Sequence, residues 1–170
     1  NTPVVCGTTG WTDRFDEVKK TCLEQDCSFF YASNYSLGVN LFFALNRYLA
    51  QLMNTAEGYR VSLTEIHHIH KLDAPSGTAI SLAKDLIGKL GGTSGWKLGE
   101  SDDPSILPIH AIREGEVPGT HVVTYDSGVD TLEISHRAKS RKGFALGAVL
   151  AAEYIRDRKG VYSMTDLLGL

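Results

Sequence analysis

The fold is decided by the stretch Glu65-Ile-His-His-Ile-His-Lys-Leu-Asp-Ala-Pro-Ser-Gly-Thr-Ala79, which joins a predicted strand to a predicted helix. Residues 59–66 carry apolar side chains at alternate positions, as a half-buried strand does. Ser76 can cap a helix that stops at Gly91-Gly92. The predicted buried face of that helix comprises Ala79, Leu82, Ala83, Leu86, Ile87 and Leu90. The sequence therefore predicts a strand that ends directly before a helix N-terminus.

Three more strands are predicted after this helix. They span residues 106–113, 120–125 and 131–137, and the turn Asp126-Ser-Gly128 predicts a hairpin between the last two. Residues 91–104 are polar and rich in glycine, which predicts a loop. With strand 59–66, these segments predict an α+β domain with an open, mixed sheet of about four strands, covered by two helices on one face. The other face is left for a partner subunit.

The segments upstream of this domain predict a fragment of a parallel α/β sheet. A strand at Val4-Val5-Cys6, a loop, a helix over 13–25 and a strand over 27–32 follow one another. A long helix comes next, capped by Asn34 or Ser36. Its predicted buried stripe is Leu37, Leu41, Ala44, Leu45, Tyr48, Leu49 and Leu52. Helices over 143–158 and 164–168 close the chain.

Composition excludes several classes of protein. The chain has 170 residues, of which 42% are hydrophobic and 22% charged, as in globular domains. Its net charge of -3 argues against a nucleic-acid partner. No apolar run reaches the roughly 18 residues of a membrane span, so we expect no membrane partner. Three cysteines, Cys6, Cys22 and Cys27, are too few for a disulfide framework and favour a cytoplasmic location, with a Cys22–Cys27 bridge left open.

The strand-to-helix junction concentrates groups that bind anions and transfer protons. Four such side chains stand at the strand end: His67, His68, His70 and Lys71. The first-turn amides around Gly77 and Thr78 have no partner within the helix and can receive an anion. This combination suits a carboxylate-bearing substrate and a proton donor that works near neutral pH. Glu65 and Asp73 are expected to orient these cations.

Two other interpretations of the histidines stand beside this one. They can be solvated loop residues without a function. His68 and His70 share a face and can bind zinc, but neither a cysteine nor a carboxylate pair at metal spacing completes the site, and Lys71 would repel the ion. We therefore expect no metal.

The same stretch resembles the signature of the 4-hydroxy-tetrahydrodipicolinate reductase (dihydrodipicolinate reductase) family, in nine residue types over 15 positions. One departure lies upstream, where the family shows Glu and a β-branched residue but this chain has Ser62 and Leu63. Residues 7–10, 32–40, 113–121 and 133–148 resemble further family segments, so the resemblance covers nearly the whole chain.

The resemblance implies a role for particular residues. His67 would be the acid/base histidine and Lys71 the proton donor, while His68, Gly77 and Thr78 would bind a small dicarboxylate. The residues that would contact NADPH or NADH are Gly7, Thr8, Thr9, Ala32, Ser33, Asn34 and Tyr35. The implied enzyme is a cytoplasmic homotetramer that reduces 4-hydroxy-tetrahydrodipicolinate to tetrahydrodipicolinate in lysine and diaminopimelate biosynthesis.

The resemblance also implies a domain organisation. Residues 1–33 would be a remnant of a Rossmann-type dinucleotide-binding domain, 34–141 the substrate-binding and oligomerisation domain, and 142–170 C-terminal helices that return towards the first domain. The family's GxxGxxG turn, which holds the cofactor pyrophosphate, has no counterpart before Asn1. We therefore expect a truncated reductase that is inactive alone.

Two alternatives remain at this point. The chain can be a non-enzymatic binding or assembly module that retains the substrate-domain sheet. A related dehydrogenase, such as one acting on aspartate, shares the architecture but is not expected to contain the Glu65–Ala79 run.

Overall fold

The computed structural model describes residues 2–170, which divide into two compact units. The first unit comprises the described residues up to Asn40 together with Arg141–Leu170, and the second is Leu41–Ser140. Cys6, Cys22 and Cys27 are free thiols, so the Cys22–Cys27 bridge is not formed. None of the helices within residues 2–170 combines the length and the apolar character needed to cross a lipid bilayer.

The first unit is built on a parallel sheet of three short strands. These are β1 (Val4–Cys6), β2 (Ser28–Tyr31) and β8 (Gly160–Tyr162), in the order β1-β2-β8. Its helices are α1 (Phe15–Glu24), which follows a 3-10 turn, α4 (Lys142–Ile155) and α5 (Met164–Leu168). The core consists of Phe30, Tyr35, Ala151, Ile155 and Met164. The sequence did not predict β8, because three residues that begin with a glycine carry almost no strand signal.

Helix α4 packs directly on the backbone that precedes helix α2 (Leu37–Met53). A Cβ atom added at Gly147 would lie 1.7 Å from the carbonyl oxygen of Tyr35, closer than any non-bonded contact allows. Gly147 is buried, and its missing side chain is what permits this approach. The contact fixes the Tyr35 backbone against α4.

The second unit is a mixed sheet of five strands. They are β3 (Arg60–His67), β4 (Gly95–Leu98), β5 (Ile106–Arg113), β6 (Thr120–Asp126) and β7 (Thr131–Arg137). Their order across the sheet is β4-β5-β3-β6-β7. β4, β5 and β3 run parallel, whereas β3, β6 and β7 are successively antiparallel. The predicted fold class, with its open mixed sheet and its hairpin between β6 and β7, is confirmed.

The sheet has one strand more than the predicted four. β4 lies within the segment predicted to be a loop, residues 91–104, and pairs in parallel with β5 from Gly95 to Leu98. It is an edge strand of four residues, three of them exposed. A short edge strand needs no alternation of apolar and polar residues, so its sequence resembles a loop.

Helices α2 and α3 (Gly77–Ile87) cover one face of this sheet and form its core. The predicted face of α3 is confirmed, since Ala79, Leu82, Ala83 and Leu86 are fully buried. The predicted stripe of α2 is wrong in part, since of its members Leu49 and Leu37 do pack against buried cores. Four of its members are about half exposed: Leu41, Leu45, Tyr48 and Leu52. The buried face instead carries Phe42, Asn46 and Ala50.

The buried face of α2 was mispredicted because it contains a polar residue. Asn46 is fully buried, and its Nδ2 donates a hydrogen bond to the Leu82 carbonyl of α3 at 3.3 Å. An asparagine in the middle of a helix indicates a solvent-facing side, so the apolar pattern favoured the opposite side.

Candidate active site

A buried carboxylate lies at the centre of the candidate site. Glu65 follows Leu63 at alternate positions of β3, so its side chain points to the same helix-covered face and is fully buried. Its Oε1 accepts a hydrogen bond from Nη2 of Arg113 on β5, at 3.1 Å. Its Oε2 accepts from the backbone amide of Ser76 at 3.0 Å. These partners compensate the cost of burying the charge.

His67, two residues further along β3, shares this face and is 8% exposed. Its Nδ1 is 3.5 Å from Oε2 of Glu65, slightly beyond a good hydrogen bond. Burial lowers the pKa of His67 below its ordinary value, against the opposing effect of the Glu65 charge. At neutral pH the imidazole is therefore largely uncharged before a ligand binds.

Gly119 leaves room for the other nitrogen of His67. A Cβ added there would lie 3.1 Å from His67 Nε2, and Gly119 has a φ of +150°, which side-chain-bearing residues rarely adopt. The loop before β6 can pass this close to the imidazole because residue 119 is a glycine.

His121 is the second buried imidazole of the site. It lies opposite Glu65 in the register of β3 and β6, and its ring centroid is 5.1 Å from that of His67. Its Nε2 is 3.1 Å from Oγ of Ser76 and 3.8 Å from Oε2 of Glu65. Burial lowers the pKa of His121 to about 4, so it is neutral at physiological pH.

The N-terminus of α3 completes the buried part of the site. Ser76 is its cap, as predicted, and the Ser76 Oγ accepts a hydrogen bond from the amide of Ala79 at 3.2 Å. The preceding Ala74–Pro75 peptide bond is cis. Gly77 and Thr78 form the first turn, and a Cβ at Gly77 would meet no atom within 4 Å. The helix end at Gly77 is thus open to a ligand.

Lys71 and Asp73 form an ion pair at the mouth of the site. Lys71 Nζ donates to both carboxylate oxygens of Asp73, at 2.7 and 2.8 Å. The hydrogen bond from Lys71 holds the pKa of Asp73 below its ordinary value. Arg113 ties this loop to the Glu65 network, because its guanidinium donates to the carbonyls of Lys71 and Asp73.

The remaining histidines of the stretch lie farther from the buried network. The rings of His68 and His70 are 6.1 Å apart. His68 is partly buried, and its Nδ1 has no hydrogen-bond partner among residues 2–170. His70 is exposed, and its Nε2 contacts Glu116 at 3.2 Å.

One group of side chains has the spacing of metal ligands. Within residues 2–170, the ligand atoms of Glu65, His67 and His121 all lie within 4.8 Å of one another. The zinc alternative rested on His68 and His70, which are not in this group. The guanidinium of Arg113 on the Glu65 carboxylate disfavours a cation there.

Comparison with known proteins identifies the family. The family model "Dihydrodipicolinate reductase, C-terminus" matches residues 38–168. A 4-hydroxy-tetrahydrodipicolinate reductase from Christiangramia forsetii is 55% identical over 166 residues, which is 98% of this chain and 69% of that protein. The chain belongs to the dihydrodipicolinate reductase family.

Two further reductases also match this chain. A 4-hydroxy-tetrahydrodipicolinate reductase from Neisseria meningitidis serogroup C is 36% identical, over 98% of this chain and 64% of that protein. The solved dipicolinate-bound dihydrodipicolinate reductase from Paenisporosarcina sp. TG-14 superposes with a TM-score of 0.71 at 22% identity. It covers 95% of this chain, and the chain covers 63% of it, which supports the fold. The chain thus spans about two thirds of the length of these reductases.

The residues expected to contact a nicotinamide cofactor lie in the first unit. Gly7, Thr8 and Thr9 follow β1, and Ala32, Ser33, Asn34 and Tyr35 follow β2. Because β1 and β2 are parallel neighbours, both segments leave the same edge of the sheet, where α/β sheets bind nucleotides.

Local packing brings these two segments together. A Cβ at Gly7 would lie 3.2 Å from the Tyr35 ring, so the Gly7 backbone packs closely against that ring. The Tyr35 hydroxyl donates to the Cys6 carbonyl at 2.7 Å, and burial raises the pKa of Tyr35 to about 12. The Tyr35 hydroxyl is therefore engaged within the fold.

Sequence reasoning gave no role to three residues of the site: Arg113, Gly119 and His121. Their segments matched the family pattern, but Arg113 lies on β5, Gly119 in the loop before β6, and His121 on β6. Their contacts with Glu65 and His67 depend on the strand order, which a single sequence does not contain. The available signals were the charged Arg113 at the end of an apolar strand and the match of residues 113–121 to the family pattern, which contains all three residues.

Proposed function

We propose that this chain provides the substrate-binding and proton-transfer part of an NADPH- or NADH-dependent reductase. The reaction is the reduction of 4-hydroxy-tetrahydrodipicolinate to tetrahydrodipicolinate, in lysine and diaminopimelate biosynthesis. The observation that carries the proposal is the buried Glu65, which joins the imidazole of His67 to the open N-terminus of α3. Family membership supports the same reaction.

The helix end and its neighbours bind the dicarboxylate. The first-turn amides at Gly77 and Thr78 receive one carboxylate, because a helix N-terminus attracts anions. His68 contributes a further donor at the strand end. Lys71, which is held by Asp73 at the mouth of the site, supplies positive charge and exchanges its ion pair for the substrate.

Proton transfer is assigned to His67 and Lys71. The cofactor, when bound, supplies the hydride. Loss of the ring hydroxyl as water takes one proton to the departing oxygen and releases one from the adjacent ring carbon, so this step consumes no net proton. The ring that then accepts the hydride takes up one proton. Lys71 is assigned as the donor of this last proton. His67 is neutral in the unliganded site, and a bound dicarboxylate raises its pKa, so that it can gain and release a proton during the cycle.

The cofactor is assigned to residues 1–33 and to the segment that includes Asn34 and Tyr35. The loops Gly7–Thr9 and Ala32–Tyr35 would hold the nicotinamide end. This assignment is supported by their position at the carboxyl ends of two parallel strands, and by the packing of Gly7 against the Tyr35 ring, which brings the two loops together. We assign substrate binding and oligomerisation to residues 34–141, and residues 142–170 to the cofactor domain.

Self-association is proposed through the open face of the sheet. The side chains of Thr64, Ile66, Ile112 and Val122 alternate with core residues and so point away from α2 and α3. Ile112 is 44% exposed. A second copy of the chain would cover this face, as part of a cytoplasmic homotetramer. We propose neither a nucleic-acid nor a membrane partner.

Calorimetric titration with pyridine-2,6-dicarboxylate tests the proposed site in this chain. We expect saturable binding, weakened about tenfold in Lys71→Ala by loss of a charge-assisted contact. Lys84→Ala, an exposed lysine on α3, is the matched control and should bind like the wild type. Absence of binding, or equal binding by Lys71→Ala, would instead favour a non-enzymatic assembly module.

A further inference from the structure

One oxygen of Glu65 serves several groups at once. Its Oε2 receives the Ser76 amide at 3.0 Å and lies 3.5 Å from His67 Nδ1 and 3.8 Å from His121 Nε2. Its Oε1 is engaged by Arg113. An ionised carboxylate only accepts hydrogen bonds, so a neighbouring ring nitrogen can bond to it only if that nitrogen carries a proton.

This contact selects one tautomer of His67. The Nδ1 atom is buried and has no hydrogen-bond partner within residues 2–170, and the Glu65 carboxylate is an acceptor next to it. A proton on Nδ1 is therefore stabilised by the carboxylate, whereas a lone pair there would face its negative charge. The lone pair then lies on Nε2, the nitrogen beside which Gly119 leaves room.

His121 connects this imidazole to the helix end. Its ring packs edge-on against the His67 ring, at an interplanar angle of 73°. Its Nε2 is 3.1 Å from Ser76 Oγ, which also accepts from the Ala79 amide and thereby caps α3. A shift of His121 would therefore move both the His67 ring and the Ser76 cap.

We propose that Glu65 and His121 are positioning residues that couple the two halves of the site. Glu65 fixes the proton of His67 on Nδ1, and His121 holds the His67 ring and the Ser76 cap in one arrangement. This inference rests on the proposed function, because it takes His67 as the group that exchanges a proton with the substrate. Besides Glu65 and His121, the charged groups around His67 are Lys71, Asp73 and Arg113.

Nuclear magnetic resonance of the ¹⁵N-histidine-labelled chain tests the first part. The His67 signals are assigned with a His67→Gln variant, and the ¹⁵N shifts report which ring nitrogen carries the proton. In the unliganded wild type we expect the proton on Nδ1. If His67 instead carries its proton on Nε2, the proposal is wrong. This measurement needs no substitution of Glu65 or His121.

Two variants test the coupling. Glu65→Gln removes the charge but keeps the shape, and we expect a mixture of His67 tautomers and a lower pKa of His67. His121→Gln removes the ring while an amide can still reach Ser76, and we expect about tenfold weaker binding of pyridine-2,6-dicarboxylate together with mixed tautomers. Lys84→Gln, an exposed side chain on α3, is the control for both. If the tautomer and the affinity of the two variants match the control, the proposal is wrong.

The outcomes separate this proposal from the proposed function. If the wild type does not bind the dicarboxylate, the proposed function fails, while the tautomer remains measurable in the unliganded chain. If the wild type binds but Glu65→Gln and His121→Gln leave the His67 tautomer unchanged, only the positioning role fails. Should Glu65→Gln not fold, His121→Gln and the wild-type measurement still decide.

Discussion

Glu65 on β3 and His121 on β6 lie directly opposite each other in an antiparallel register, and both side chains are buried. Their nearest side-chain atoms, Oε2 and Nε2, are 3.8 Å apart. Arg113 binds the other oxygen of the same carboxylate. The Glu65 carboxylate, its counter-ion Arg113 and the neutral imidazole of His121 thus form the buried part of the site. Their effect on the free energy of unfolding can be measured.

Loss of the Glu65 charge should destabilise the fold. Glu65→Gln leaves the half-buried Arg113 without its counter-ion, and breaking such a pair costs about 3 kcal/mol in free energy of unfolding. Urea denaturation at pH 7 measures the difference. Glu116→Gln, which removes an exposed carboxylate from His70, is the control and should change stability by less than about 0.5 kcal/mol. Equal effects of the two substitutions would contradict the pairing.

The buried His121 should make stability depend on pH. Its pKa is about 4 in the folded chain against an ordinary value of 6.5, so the unfolded chain binds the proton more readily. The corresponding stability is present above pH 6.5 and is lost as the pH falls towards 4, by at most about 3 kcal/mol.

Comparison with His121→Gln isolates this contribution from other titrating groups. We expect the difference in free energy of unfolding between wild type and variant to shrink as the pH falls from 7 to 4.5, measured by urea denaturation at each pH. A difference that stays constant over this range would show that His121 titrates normally in the folded state.

Gly147 should be intolerant of any side chain. Gly147→Ala places a methyl group 1.7 Å from the Tyr35 carbonyl oxygen, so α4 must shift, and we expect a loss of about 2 kcal/mol or more. Gly143→Ala lies in the same helix with its nearest neighbour 3.8 Å away. That substitution should change the free energy of unfolding by less than about 0.5 kcal/mol, because the site is open and lies in the first turn of the helix. Thermal unfolding of both variants compares them, and similar melting temperatures would refute the close contact.

The open sheet face can be distinguished from the exposed side of α2 as a self-association surface. Ile112→Arg places a charge on the sheet face, whereas Leu45→Arg places one on the half-exposed apolar side of α2. We expect Ile112→Arg to lower the molecular mass measured by light scattering, and Leu45→Arg to leave it unchanged. Dissociation by Leu45→Arg alone would move the interface to α2.

Local sequence predicted the strand-to-helix junction well, because its signals lie next to one another. Ser76 precedes a regular apolar pattern, and cap and pattern act within a few residues of each other. The same reasoning placed His67, Lys71, Gly77 and Thr78 at one junction. It assigned Glu65 an orienting role but not its depth of burial.

The parts that sequence did not predict depend on tertiary contacts. The buried face of α2 contains the polar Asn46, so its sequence pattern resembles that of a solvent-facing side. The burial of Asn46 is explained by its hydrogen bond to α3, which the sequence does not show. The edge strand β4 is paired on one side and exposed, so it lacks a pattern. The pairing of Glu65 with His121 requires β6 to lie next to β3, which is a property of the topology.

A crystal structure of the chain with pyridine-2,6-dicarboxylate is the most direct test of the proposed substrate site. We expect one carboxylate at the N-terminus of α3, within hydrogen-bond distance of the Gly77 or Thr78 amide. The other carboxylate should lie near His68 and Lys71, with the ring beside His67. A dicarboxylate bound away from residues 65–79, or no bound dicarboxylate at a saturating concentration, would contradict it.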